Sequence, residues 1–268
     1  MQTPTCAPQS TTISVKISYH PSPGEECPMT FQIGIRCSDG VILASDRKMT
    51  RIVGIRTGHK SPKIEVFEDE GIAFCSAGDD FCDVFSSTVR EEMRQSGFAG
   101  KTFVALKQSL MQCVGKAREK ERENRKKEIE RTGREQSTSV GGNTLIVFRD
   151  ENAIQLWTVD TLREFPNPQP LDVNSRVICG DSGSAAVFFP NRYFDAIVPS
   201  VEALIPLAVH TVLMAKSEFV DGLEVGIFTQ SRFGVLGEKE LQRAVDTSGK
   251  IDSCVADALG ADRSKLGG

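Results

Sequence analysis

The sequence predicts an α+β fold in which blocks of antiparallel strands are separated from blocks of helix. Three observations predict it. Strand-like runs gather at residues 30–78, 144–186 and 223–229. Two helical patterns fill the gap between the first two blocks, and a third lies between the second and the last. Neighbouring strands are joined by short turn sequences such as Asp39-Gly40 and Asp150-Glu151-Asn152, which suit hairpins rather than parallel crossovers.

A chain of 268 residues is long enough to bury a sizeable core as one domain with an appendage. Its 39% hydrophobic and 25% charged residues are ordinary for a soluble globular protein. A net charge of −4 argues against nucleic acid or an anionic membrane as partner. No apolar run approaches bilayer length. The eight cysteines contain no C-x-x-C pair, so zinc-site spacing is absent and reduced thiols in a cytoplasmic protein are expected. No cofactor or metal is implied. His210 lies in an apolar helical pattern and reads as a core histidine rather than a ligand.

Residues 1–29 hold five of the twelve prolines and lack the basic-then-apolar pattern of a secretory signal, so they read as a mobile N-terminal extension. From Thr30 the chain changes character. Ile33, Ile35 and Cys37 alternate with polar or small residues, which predicts a half-buried strand. Asp39-Gly40 predicts a tight primed turn, where positive φ angles are needed. Val41–Ala44 is continuously apolar and predicts a strand buried on both faces. A second hairpin runs from Lys63 to Phe67, through Glu68–Gly71, to Ile72–Gly78.

Phe81, Val84, Phe85, Thr88, Val89 and Met93 recur at helical spacing behind Asp79-Asp80, and Gly97 closes the pattern. Phe103, Val104, Leu106, Leu110, Met111 and Val114 open a second helix. Its continuation, residues 116–135, carries nine basic and six acidic residues in interleaved order, a solvated helical extension rather than a nucleic-acid surface. Residues 136–143 are loop chemistry. Strands follow at 144–148 and 153–159, then a Pro-rich connection, a strand at 175–180 leading into Asp181-Ser182-Gly183-Ser184, an apolar helix at 201–215 and a strand at 223–229. The tail 238–268 has weak helical patterning to residue 259 and then frays.

Several of these fragments together resemble one family. Thr30, the turn "SDG", "VILASDRKMT", "KIEVF" and "FCSAG" look like the N-terminal third of a proteasome β-type subunit, an N-terminal nucleophile hydrolase. The spacing from Thr30 to Asp46 is 16 positions, as is usual in that family. The spacing from Asp46 to Lys63 is 17, one longer than its pattern, which implies a small loop insertion. The resemblance covers roughly residues 30–230. It implies a four-layer αββα sandwich, two antiparallel sheets between helix layers, formed by a domain of residues 30–268.

The resemblance also implies a chemistry. A hydroxyl is a weak nucleophile until a base removes its proton. An N-terminal threonine carries that base as its own α-amine, which titrates near neutrality. Thr30 must therefore be first in the mature chain. Three routes stay open: residues 1–29 are a removed propeptide, translation starts at Met29 and the methionine is trimmed, or the extension is permanent and Thr30 is an ordinary strand residue. Lys63 matches the family's catalytic lysine and Asp46 its carboxylate partner. Gly78 matches the glycine whose N–H stabilises the oxyanion. Ser182 aligns with a serine that bonds near the threonine amine. Glu218 and Asp221 stand where the family has an aspartate and a serine.

Each residue also has a plainer reading. Asp46 and Lys63 suit a strand-end ion pair, and Gly78 and Ser182 suit turns. In combination they point to a threonine-type endopeptidase subunit of a proteasome-like ring, acting on peptide or unfolded protein. Copies of itself or related subunits would be its partners. No nucleotide-binding G-x-x-x-x-G-K-[ST] motif occurs, so a separate ATPase would supply any unfolding. The alternatives are a catalytically silent ring subunit and an amidase for small amides.

Overall fold

The computed structural model describes residues 30–53, 55–60, 62–78, 80–98, 101–133, 142–160, 168–180, 188–194, 197, 199–215 and 222–259. In chain order the elements are β1 (Phe31–Arg36), β2 (Val41–Ser45), β3 (Lys48–Val53), β4 (Ile55–Lys60), β5 (Glu65–Phe67), β6 (Ile72–Gly78), α1 (Asp80–Ser96), α2 (Phe103–Thr132), β7 (Gly142–Arg149), β8 (Ile154–Asp160), β9 (Gln169–Pro170), β10 (Ser175–Gly180), α3 (Phe188–Tyr193), α4 (Val201–Met214), β11 (Glu224–Phe228), β12 (Phe233–Val235) and α5 (Glu238–Leu259).

Two five-stranded antiparallel sheets form, ordered β10-β1-β2-β11-β12 and β5-β6-β7-β8-β9. Three apolar clusters show how they are layered. Phe31, Ile33, Ile35, Ile42 and Ala44 of the first sheet pack on Leu204, Ala208 and Val212 of α4, with Ala244 of α5 at the margin. Ile72, Phe74, Ile146 and Trp157 of the second sheet pack on Phe81, Phe85 and Val89 of α1 and Leu106, Leu110 and Cys113 of α2. Val41, Leu43, Cys75, Ala77, Leu145, Leu156 and Phe228 fill the space between the sheets. The molecule is thus an αββα sandwich, as the resemblance implied. Among the described residues no helix is long and apolar enough to cross a membrane.

Strand β1 departs from the half-buried reading, because all six of its residues are buried. Its second face meets the other sheet rather than water. Gly34 is the contact point, since a Cβ there would lie 3.0 Å from Leu156 and 3.1 Å from Leu145. Gln32, fully buried, donates its amide to the carbonyl of Ser76 on β6 at 2.7 Å. Arg36 escapes along the strand, its guanidinium donating to the carbonyls of Cys37 and Gly40. Polar residues on a strand are therefore no proof of solvent when a neighbour supplies hydrogen bonds.

The first hairpin closes one residue earlier than Asp39-Gly40 suggests. The Cys37 N–H donates to the Gly40 carbonyl at 2.8 Å, leaving Ser38-Asp39 at the tip. Neither Asp39 nor Gly40 has a positive φ. Gly40 is needed for close approach instead, because a Cβ would stand 2.4 Å from the Phe228 carbonyl oxygen. Asp39 serves α4, its carboxylate accepting from the Val201 N–H at 2.8 Å, beside the N-cap Ser200.

Other boundaries also move. Between Asp46 and Lys63 lies a two-stranded hairpin, β3 with β4, in a stretch where no strands were expected. Its alternation is interrupted by charged and small residues, which hid it. Gly142 and Asn143 belong to β7, not to the preceding loop. The charged helix ends at Thr132, short of residue 135, where Gly133 takes a left-handed φ of 67° and its N–H caps the Ile129 carbonyl. It is not wholly solvated: Lys116 and Lys120 reach across to Glu92 and Glu91 of α1. Strand β12 and helix α3 are short additions with no signal in the periodicity. His210 is a core histidine, with Nδ1 3.0 Å from the Ser248 hydroxyl of α5.

Candidate active site

The site starts from the antiparallel pairing of β1 and β2, in which Gln32 faces Ser45. That register sets Asp46, just past β2, opposite Phe31. The Phe31 N–H donates to Asp46 Oδ1 at 2.9 Å, and the Asp46 N–H donates to the Phe31 carbonyl at 3.1 Å. Asp46 is fully buried. A carboxylate buried this deeply needs a cation as well as amide donors.

Lys63 is that cation. Its Nζ lies 2.9 Å and 2.8 Å from the two Asp46 carboxylate oxygens and donates to Thr30 Oγ1 at 3.1 Å. The side chain is 8% exposed. Burial pulls the Lys63 pKa below the ordinary lysine value, while the neighbouring Asp46 carboxylate opposes that shift. The threonine hydroxyl therefore sits against an ammonium whose proton is held less tightly than usual. Three residues separated by 16 and 17 positions are gathered within hydrogen-bond reach.

Gly78 closes β6 in the facing sheet, exposed, and pairs with Gly142. The pairing admits no side chain: a Cβ on Gly142 would lie 2.1 Å from the Ala77 carbonyl oxygen and 2.6 Å from Gly78 Cα. The Gln32–Ser76 hydrogen bond ties the beginning of β1 to the same end of β6. Ser182, Glu218 and Asp221 lie outside the described residues. Among the described residues no group of three or more His, Cys, Asp or Glu side chains is placed to hold a metal ion.

One residue at the site was missed in the sequence. Glu224, first in β11, accepts from the Lys63 N–H at 2.8 Å and the Ile64 N–H at 3.0 Å through one oxygen, Oε2. The signal was there to find: a carboxylate opening an otherwise apolar strand, Glu224-Val225-Gly226-Ile227-Phe228.

The strand orders and the two flanking helix layers define the fold of the proteasome-like N-terminal nucleophile hydrolases. Among solved structures, the chain is similar to Anbu (ancestral β-subunit) from Yersinia bercovieri, with a TM-score of 0.63 at 13% identity over 87% of this chain and 98% of that one. It is likewise similar to Anbu from Hyphomicrobium sp. strain MC1. Its Gly-1 mutant gives a TM-score of 0.64 at 12% identity, and a second crystal form gives 0.62 at 11%, with the same coverage. These likenesses establish the fold, and the structures named are of an ancestral β-subunit. No family model matches the chain, and no curated protein matches it in sequence.

Proposed function

We propose that the chain is a threonine-type endopeptidase subunit of a proteasome-like assembly, with Thr30 as the N-terminal nucleophile. The observation that carries this reading is the placement of Lys63 Nζ, 3.1 Å from Thr30 Oγ1 and bidentate on Asp46. An ion pair serving stability alone has no need to present its ammonium to a hydroxyl.

In the proposed cycle Thr30 Oγ1 attacks the peptide carbonyl carbon and its proton passes to the free α-amine of the same residue. The Lys63 ammonium, held by Asp46, stabilises charge building on Oγ1 and keeps the α-amine unprotonated by like-charge repulsion. The carbonyl oxygen becomes an oxyanion, for which the Gly78 N–H is the donor. Collapse expels the amine product with the proton taken from the α-amine and leaves an ester on Oγ1. A water, deprotonated by the same amine, then attacks the ester, releases the acid and restores Thr30. Ser182, Glu218 and Asp221 are the proposed surroundings of the amine, on the strength of the family resemblance alone.

Copies of this chain, arranged in a ring, are the proposed partners, supported by the likeness of fold to an ancestral β-subunit. Peptide or unfolded protein is the proposed substrate, delivered by a separate ATPase. The test is cleavage of a fluorogenic peptide set by the purified native protein. Hydrolysis lost in both Thr30→Ala and Lys63→Ala supports the reading. Hydrolysis surviving in Thr30→Ala refutes it.

A further inference from the structure

We propose that Glu224 is a positioning residue for Lys63, fixing the lysine's main chain as Asp46 fixes its ammonium. The inference rests on the reading of Lys63 as part of the active site. Asp46 directly follows β2 and Glu224 begins β11, and these strands pair with Glu224 opposite Ser45. Two adjacent carboxylates therefore face the same lysine from neighbouring strands. One takes the side-chain nitrogen and the other the main-chain nitrogen.

The geometry makes the second grip specific. Lys63 and Ile64 precede β5, so their N–H groups have no strand partner, and Glu224 Oε2 receives both. Ile64 is buried, and its side chain sits over Gly226, whose missing Cβ would lie 3.5 Å from Ile64 Cγ2. The segment is thus pinned to β11 at two successive residues, one polar and one apolar. A lysine has four rotatable bonds, and its reach to Thr30 is only as well defined as the main chain it springs from. The Glu224 charge also favours the ammonium form of Lys63.

Positioning and charge are separable by substitution. Glu224→Ala removes the acceptor and orphans two N–H groups. Glu224→Gln keeps an oxygen able to accept both but removes the charge. The experiment compares the native protein, both variants and Thr30→Ala in peptide hydrolysis across pH, with thermal melting on each. It is paired with acetic anhydride labelling of Lys63 across pH, read by mass spectrometry. That labelling does not depend on activity.

Glu224→Ala is expected to lower kcat on the order of 10- to 100-fold with little change in KM. Glu224→Gln is expected to recover most of that loss while its alkaline limb and the Lys63 labelling midpoint both move to lower pH. Glu224→Ala with native kcat, or Glu224→Gln that recovers none of the Glu224→Ala loss, overturns the proposal. If the native protein shows no Thr30-dependent hydrolysis, the peptidase reading fails. Faster Lys63 labelling in Glu224→Ala than in Glu224→Gln then still supports the positioning role, and equal rates overturn it.

Discussion

The main chain of Phe31 and the carboxylate residue Asp46 hold each other by two hydrogen bonds, one in each direction, at 2.9 Å and 3.1 Å. Phe31 follows the proposed nucleophile, and Asp46 holds the lysine that faces it. This pair couples the position of Thr30 to that of Lys63, so a change in one is transmitted to the other through a single buried carboxylate.

Asp46→Ala therefore removes more than a charge. The Lys63 ammonium loses its partner in a site 8% exposed, and the Phe31 N–H loses its acceptor. Breaking a buried pair from one side costs about 3–5 kcal/mol. Urea unfolding is expected to show a loss of that size, with Asp46→Asn falling between the variant and the native protein.

The pH dependence follows from the lowered Lys63 pKa. Between that value and the ordinary lysine value near 10.5, the unfolded chain holds a proton that the folded chain has released. Unfolding free energy therefore contains a contribution that rises with pH across this window, and the burial penalty of the ammonium is fully present below it. Hydrolysis, which uses the ammonium, is expected to decline as pH rises through the lowered value, before 10.5 is reached. A kcat/KM profile measures this limb, and a limb at or above 10.5 contradicts it.

Gly142→Ala tests the support beneath Gly78. The added methyl meets backbone, not a flexible side chain, so β6 and β7 must separate at their ends. Overpacking of this kind costs about 1–3 kcal/mol. The expected outcome is a lower melting temperature together with a fall in kcat larger than the fall in stability would explain at the assay temperature.

Thiol chemistry reports on the layers. Burial pushes the Cys37 and Cys179 thiols up to about 12 and Cys113 to about 11, and all three are enclosed. Cys254 on α5 is exposed. Native-state labelling with iodoacetamide at neutral pH, mapped by peptide mass, is expected to modify Cys254 and to spare Cys37, Cys75, Cys82, Cys113 and Cys179 until the protein unfolds.

Much of this was legible in the sequence because local pattern and tertiary role agreed. The apolar run Val41–Ala44, the turn at Gly71 and the helices opening at Asp80 and Phe103 each form where their pattern places them. Thr30, Asp46 and Lys63 could be picked out together through the resemblance to proteasome β-type subunits, since Asp46 and Lys63 alone read as a strand-end ion pair. What escaped depends on partners distant in sequence. The burial of Gln32 requires Ser76 from the other sheet, and the need for Gly40 comes from Phe228. Glu224 looks like a strand-opening charge until Lys63 and Ile64, 160 positions and more away, present their amides to it.

The central claim is that Thr30 is an N-terminal nucleophile. Its most direct measurement is the intact mass and N-terminal sequence of the native protein after treatment with a peptide β-lactone. The account predicts a chain beginning at Thr30 with one lactone ester on Thr30 Oγ1, absent from Thr30→Ala. A protein that retains residues ahead of Thr30, or one that begins at Thr30 and forms no adduct there, would contradict it.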